Sequence, residues 1–315
     1  MMPQEIAYVG VDVSKAALDV CVLGGPKVWR VGNDATGWRS LLARLKALER
    51  PVVVGVEPSG GYERGLVRAL IEAQVEVRWT DPARVRALAK ALGAPAKTDA
   101  IDAAMIALFV AQARGRPIER DEARQQLKDL LAARQAAGQV ARQLKAQAQG
   151  LDHAPARLAL EDLAVAAALE ARRLTREALA RLQETRALRD TWARLQTAPG
   201  IGPLVAAELV AHMPELGQVS GKAIAKLAGL APFFRKSGAW TGRAVCSGGR
   251  ARPRQALYMA AVASLRAKQG PRPIFQRLIS AGKPPKLALV ACMRRLLVTL
   301  NAMIRDNTAW RPEHP

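Results

Sequence analysis

YVGVDVSK, residues 8–15, and VVVGVEPSGGY, residues 52–62, are two apolar runs that each close on a carboxylate, Asp12 in the first and Glu57 in the second. A short run rich in β-branched residues and bounded by a turn suits a buried strand, so each run is expected to be a strand with an acid at its C-terminal end. Between them, residues 17–23 and 27–31 have the composition of two further strands and residues 38–48 have helical spacing. After them the pattern alternates: a helix over 62–73, a strand over 75–80, and helices following Pro82 and Asp99. Three consecutive strands, a helix, then alternating strands and helices is the order of a ribonuclease H type fold, in which the first and fourth strands are neighbours.

That order makes the spacing of the next acids informative. In KTDAIDA, residues 97–103, Asp99 and Asp102 stand three apart at a helix start, so they share one face. An N-cap with an acidic residue in its first turn has the same appearance, and Glu57 before Pro58 also reads as a plain strand end. What joins them is their order: acids at two neighbouring strand ends, then two more on one helix face. Four gathered carboxylates repel one another, and either raised pKa values or a bound divalent cation relieves that repulsion. Magnesium or manganese suits such oxygen ligands, and two such ions can assist an in-line phosphoryl displacement.

Charge points to the partner. The chain of 315 residues carries 48 Lys and Arg against 27 Asp and Glu, a formal net charge of +21. Residues 1–110 hold 14 basic and 12 acidic side chains, and residues 111–215 hold 16 and 13. Residues 216–305 hold 17 basic side chains and no acidic one, which favours a phosphate backbone as ligand of that stretch. With 4% aromatic residues a stacking platform for single strands is poorly supplied. No uninterrupted apolar run reaches the roughly 18 to 20 residues of a spanning helix, the N-terminus lacks a basic leader, and Cys21, Cys246 and Cys292 lie far apart. The expectation is a protein of a reducing cytoplasm, associated with the nucleoid and not with a membrane.

From 112 to 196 the chain turns to Ala, Gln, Leu, Arg and Glu, the composition of long amphipathic helices, interrupted at Gly150 and Pro155. Two helices forming a hairpin arm are expected, as a packing or dimer element. Beyond Pro199 a smaller helical domain is expected, with a Gly-rich loop over 237–249. APGIGPLVAAEL, residues 198–209, has the form of a helix-hairpin-helix element whose Gly200 and Gly202 would let backbone amides approach phosphate, although an ordinary helix connector reads the same way. FFRKSGAWTGRAVCSGGRARPR, residues 233–254, surrounds Ser237 with Arg235, Lys236, Arg243, Arg250, Arg252 and Arg254. A hydroxyl nucleophile beside a bound phosphate would suit that loop, as would a plain turn serine. The histidines are His153, His212 and His314 and none lies near this loop, so no Ser-His-Asp triad is argued from the sequence, and activation would come from metal or arginine.

YVGVDVSK, VGVEPSGGY, DPARVRALAKALGAPAKTDAIDA, APGIGPLVAAEL, KLAGLAPF, KSGAWTGRA and RQALYMAA together resemble insertion-sequence transposases of the IS-one-ten type, the DEDD transposases, over nearly the whole chain. The resemblance implies an α/β RuvC-like ribonuclease H domain over 1–111 whose Asp12, Glu57, Asp99 and Asp102 bind magnesium or manganese. It further implies a coiled-coil arm over 112–190, a mostly helical transposase domain over 191–305 and a tail over 306–315. Ser237 would form a covalent phosphoserine with DNA, and Lys97, Gly200, Gly202 and the loop cations would contact nucleic acid. Donor and target DNA, a noncoding guide RNA, and homodimers that pair into tetramers are the implied partners. Asp81 before Pro82, where asparagine is common, and Pro253 in SGGRARPRQ depart from the family pattern. A hydrolytic junction nuclease using the same acids and water, a non-catalytic nucleic-acid scaffold, and an actin-like ATPase are the competing readings.

Overall fold

The structure, a computed structural model, describes residues 5–25, 27–93, 99–113, 115–118, 121–233, 236–237, 240–241, 245–267 and 270–311; at 99, 100, 116, 233, 236–237, 240–241 and 245 the backbone alone is described. The chain divides into two compact units, Met1–Arg120 and Asp121–Pro315.

The first unit runs β1 (Ala7–Val13), β2 (Ala17–Val22), β3 (Trp29–Gly32), α1 (Ala35–Lys46), β4 (Val52–Val56), α2 (Arg64–Glu72), β5 (Glu76–Trp79), α3 (Pro82–Ala91), α4 (Asp99–Ala113) and β6 (Arg116–Pro117). Its six strands form one sheet in the order β3-β2-β1-β4-β5-β6. β1 pairs parallel with β4, and β4 with β5, while β2, β3 and β6 run antiparallel to their neighbours. The first three strands, the helix after them and the alternation that follows are where the sequence pattern put them; the two-residue β6 has no sequence signal of its own.

Alternation along the central strands sorts the two faces. Val9, Val11, Val54 and Val56 are fully buried with Leu41 of α1 and Leu66 and Leu70 of α2. Burying one such side chain stabilises the fold by about 1.5–3 kcal/mol. Gly10 and Gly55, on the opposite face, are register partners, and α4 packs across β1, β2 and β4 there. Helix starts are capped: Asp34 accepts from the Thr36 and Gly37 amides, and Asp81, followed by Pro82 in the first turn, accepts from the Ala83 amide.

The second unit is mostly helical: α5 (Glu122–Ala148), α6 (Ala154–Glu184), α7 (Arg186–Leu195), α8 (Pro203–His212), α9 (Gly221–Leu227), β7 (Pro232–Phe233), β8 (Lys236–Ser237), β9 (Trp240–Thr241), β10 (Val245–Cys246), α10 (Ala251–Ser264), α11 (Arg272–Ser280) and α12 (Pro285–Arg305). The 27-residue α5 and 31-residue α6 pack along one another as a hairpin. The helical stretch is interrupted twice where one break, at Gly150 and Pro155, was expected: between α5 and α6, with Gly150 in the break and Pro155 in the first turn of α6, and again at Thr185, whose extended backbone (φ −100°, ψ 112°) separates α6 from α7. Leu127, Leu131, Ala178 and Leu182 of the hairpin share one core with α7–α10 and α12.

Where a Gly-rich loop was expected, four short strands form two antiparallel pairs, β7 with β10 and, between them in sequence, β8 with β9. α12 has the length and apolar composition of a membrane span, with half of it buried. Its Cys292, Leu296, Leu297 and Leu300 belong to the core of this unit. All three cysteines are free.

Candidate functional site

Three of the four expected acids meet electrostatically at one edge of the first sheet. Val11 and Val56 are register partners on the parallel strands β1 and β4, so Asp12 and Glu57, one residue further on each, stand beside each other. Glu57 is half-buried, and its carboxyl is pushed above the ordinary 4.5 by burial first, then by Asp12 and Asp102, with Arg86 opposing and Asp81 adding to the rise. Neighbouring like charges favour the protonated form of a carboxyl, which is how Asp12 and Asp102 act on Glu57.

Asp102 reaches this edge because α4 lies tight on the sheet. A Cβ on Gly10 would come within 2.1 Å of the Ala103 carbonyl oxygen, and one on Gly55 within 2.3 Å of Val110 Cγ2. Any side chain at either position would lift the helix, and with it the residue next to Ala103. A glycine inside an apolar strand marks a close backbone approach, so this signal was present in the sequence and bears on the site.

The loop after Glu57 is held from within. Glu63, buried, accepts from the Ser59 and Gly61 amides and the Ser59 hydroxyl at 2.7–3.0 Å. Burial alone would raise its pKa, but these hydrogen bonds outweigh it and hold the carboxyl below 4.5. Asn33 Nδ2 donates to the Ser14 and Tyr62 carbonyls, tying the turn after Asp12 to the loop after Glu57, and Trp38 Nε1 donates to Asn33 Oδ1. These groups position the two strand ends.

Asp99 begins α4, as expected, and its side chain lies outside the description. Lys97 lies outside the described residues. Among the described residues no three acid, His or Cys side chains stand close enough to enclose a metal ion. The oxygen-only donor set of Asp12, Glu57 and Asp102 has the chemistry a hard divalent cation takes.

In the second unit, Ser237 ends β8 and pairs with Trp240 of β9. Arg235 and Arg243 lie outside the described residues, and Lys236 and Ser237 are described by backbone alone. The base of this strand cluster is closed by glycines: Gly229 and Gly249, both at positive φ, approach so closely that a Cβ on Gly249 would be 2.1 Å from the Gly229 nitrogen. The Arg250 amide donates to the Leu227 carbonyl at 2.8 Å.

Two of the arginines that follow, Arg250 and Arg254, have internal partners. Arg250 forms a bidentate pair with Glu215 at 2.6 Å and donates to the His212 carbonyl, and Arg254 donates to the Gly248 carbonyl at 2.6 Å. Glu215 stands one residue before the acid-free stretch, so the absence of acids inside that stretch did not leave Arg250 unpaired. Arg252 has a buried Nη1 without a partner and acts electrostatically on Glu208 and His212. Pro253 sits buried in the first turn of α10, where an amide has no intrahelical acceptor to lose.

Gly200 (φ +80°) approaches α10: a Cβ there would be 2.4 Å from the Ala260 carbonyl oxygen. Gly202 is the N-cap of α8 and faces open space. Of the two glycines, only Gly202 keeps the open approach that a phosphate would use.

Comparison with known proteins places the chain among mobile-element proteins. A family described as "Transposase" matches residues 9–151, and one described as "Transposase IS116/IS110/IS902 family" matches residues 192–276. The chain is 26% identical to the pilin gene-inverting protein of Moraxella bovis, over 95% of this chain and 96% of that protein. It is also 33% identical over 123 residues to the insertion element IS900 uncharacterized 42 kDa protein of Mycobacterium paratuberculosis, covering 36% of this chain and 29% of that one. An insertion element IS110 uncharacterized 43.6 kDa protein of Streptomyces coelicolor is 30% identical over 123 residues, 38% of this chain and 30% of the relative.

Proposed function

The chain belongs to the IS110 family of transposases, and from that premise we propose that it cuts and rejoins donor and target DNA with a carboxylate cluster and a serine nucleophile. The carboxylates are Asp12, Glu57, Asp99 and Asp102; the nucleophile is Ser237. The observation that carries the reading is the raised proton affinity of Glu57 beside Asp12 and Asp102. A sheet in the order β3-β2-β1-β4-β5-β6, with the acids at the ends of its adjacent parallel strands, supports the RuvC-like ribonuclease H reading of the first unit. The α5–α6 hairpin supports the coiled-coil arm.

Magnesium or manganese held by these carboxylates would supply Lewis acidity at a phosphodiester. Ser237 Oγ attacks phosphorus, the P–O bond to deoxyribose breaks, and the released sugar oxygen takes a proton as a phosphoserine ester forms. Gly202 and the loop cations Arg235, Lys236 and Arg243 contact the DNA backbone, together with Lys97. A noncoding RNA guides the choice of sites, and dimers of the chain pair into tetramers. The pilin gene-inverting relative, similar from end to end, favours rejoining over hydrolysis alone, because inversion of a segment requires both ends to be resealed.

Trapping tests the reading. Wild-type protein incubated with element-end DNA and magnesium is expected to yield a protease-sensitive covalent protein–DNA adduct, lost in Ser237→Ala and in Asp12→Ala. An adduct formed by Ser237→Ala removes the nucleophile assignment, and free cut ends without any adduct make the protein a hydrolytic nuclease.

A further inference from the structure

The α5–α6 hairpin carries a groove that neither its packing nor the function above accounts for. A cavity of about 280 Å³ lies along one side of the pair, lined by Arg134, Gly138, Ala141 and Arg142 of α5 and by Ala168, Ala171, Arg172 and Thr175 of α6. The lining recurs at helical spacing on both helices, so it follows a single face of the hairpin. Its floor is small side chains, its rim is three arginines, and it contains no acid.

Pairing separates these arginines from others on the arm. Arg173 bridges Glu170 and Glu177, Arg181 pairs with Glu184, and Arg124 pairs with Asp121. Arg142 and Arg172, both exposed, have no ion pair among the described residues, and the buried Nε of Arg134 has no hydrogen-bond partner. Arg134 also acts electrostatically on the buried Glu208 of α8.

Gly138 fits the same reading. A glycine inside a long helix destabilises it by about 1 kcal/mol relative to alanine. Here no neighbouring element demands it, since an added Cβ would meet only Arg142 Nη1, at 3.7 Å. What its absence leaves is depth beneath that guanidinium.

We propose that this groove is a second DNA-backbone site, in which Arg134, Arg142 and Arg172 hold phosphates of a duplex along the arm. The exposed guanidinium groups of Arg142 and Arg172, without an ion pair among the described residues and over a floor without acids, match the charge of a phosphate backbone. No lining residue is aromatic, so there is no platform for unstacked bases, and a backbone kept in a duplex is the ligand the surface fits. From Arg134 to Arg142 the helix advances about 12 Å, room for several phosphates at about 3.4 Å of axis per residue of one strand. The inference rests on the reading of the protein as a DNA-acting enzyme and adds a contact remote from the serine strands in sequence.

Binding of the full-length chain to duplex DNA, titrated across salt concentrations, tests it. Arg142→Gln with Arg172→Gln is expected to weaken binding by roughly an order of magnitude and to reduce the slope of log affinity against log salt by about two. Arg173→Gln with Arg181→Gln removes the same charge from paired positions and is expected to leave both nearly unchanged. Arg142→Lys with Arg172→Lys, which keeps the charge and folds as a surface exchange, is expected to restore most of the affinity. The groove is overturned if the first pair binds like wild type, if the control pair loses as much, if the lysine pair recovers nothing, or if the loss falls on duplex RNA and spares DNA. Wild-type protein that fails to bind duplex DNA at all would instead sink the enzyme reading on which the groove depends.

Discussion

Gly10 of β1 and Gly55 of β4 stand opposite each other in parallel register, and α4 fills the space where both side chains would be. The pair sets how close Asp102 comes to Asp12 and Glu57. Gly10→Val is therefore expected to destabilise the first unit by about 1–3 kcal/mol through overpacking and to abolish DNA cleavage. The check is chemical denaturation beside a cleavage assay at a temperature where the variant remains folded; a folded, fully active Gly10→Val protein would refute it.

Glu57 is held among like charges, so removing its charge relieves repulsion. Glu57→Gln is expected to raise the thermal midpoint without divalent cation by about 2 °C while eliminating strand cleavage. Magnesium is expected to raise the midpoint of wild type, as any ligand of the folded state does, and to have little effect on the variant. Differential scanning fluorimetry with and without magnesium reads both, and a variant that magnesium stabilises as strongly as wild type would count against the carboxylate site.

Arg250 and Glu215 form a bidentate pair at the base of the strands carrying Ser237. Arg250→Met alone removes two charge-assisted hydrogen bonds from a mostly buried Glu215 and is expected to lose about 2–3 kcal/mol. Glu215→Leu added to it should recover a substantial part. A double-mutant cycle in urea measures the coupling, and strictly additive losses would mean that the pair contributes nothing.

His212 and Glu208, 3.4 Å apart on α8, give a pH dependence with a defined sign. Burial, then Lys128, Arg252 and Arg250, pulls the imidazole from 6.5 down to about 4, so the contact joins a neutral ring to Glu208 and is not an ion pair at neutral pH. The folded protein binds this proton less well than the unfolded chain, so the contribution to stability is full above 6.5 and lost as pH falls toward about 4. Glu208, raised from 4.5 by burial against the pull of Arg252 and Arg134, acts oppositely and loses stability as pH rises from there. Thermal midpoints between pH 6.5 and 5 should fall less steeply in His212→Gln than in wild type, and more steeply in Glu208→Gln. Unchanged slopes in both would contradict these assignments.

Much of the first unit was legible because its information is local. Valine-rich runs closed by turn residues mark β1 and β4, and Asp81 with Pro82 marks the start of α3. Each signal lies within a few residues of the feature it specifies. The acids could be named for the same reason, since Asp12 and Glu57 sit at strand ends and Asp102 near a helix start. Ser237 could be named only from its neighbours in sequence. The four short strands around it carry no hydrophobic period long enough to announce them.

The sequence by itself determined the element order of the first unit, the placing of the candidate acids at strand ends and a helix start, the helical arm and the concentration of basic charge in residues 216–305. Tertiary structure alone decided which of those charges are already spoken for. Arg250 meets Glu215 across 35 positions and Arg254 meets the Gly248 carbonyl, while Arg142 and Arg172, in a segment of nearly balanced composition, meet no acid among the described residues. Composition counts charges, but an ion pair forms by distance and burial, and those depend on how helices distant in sequence come to share a surface.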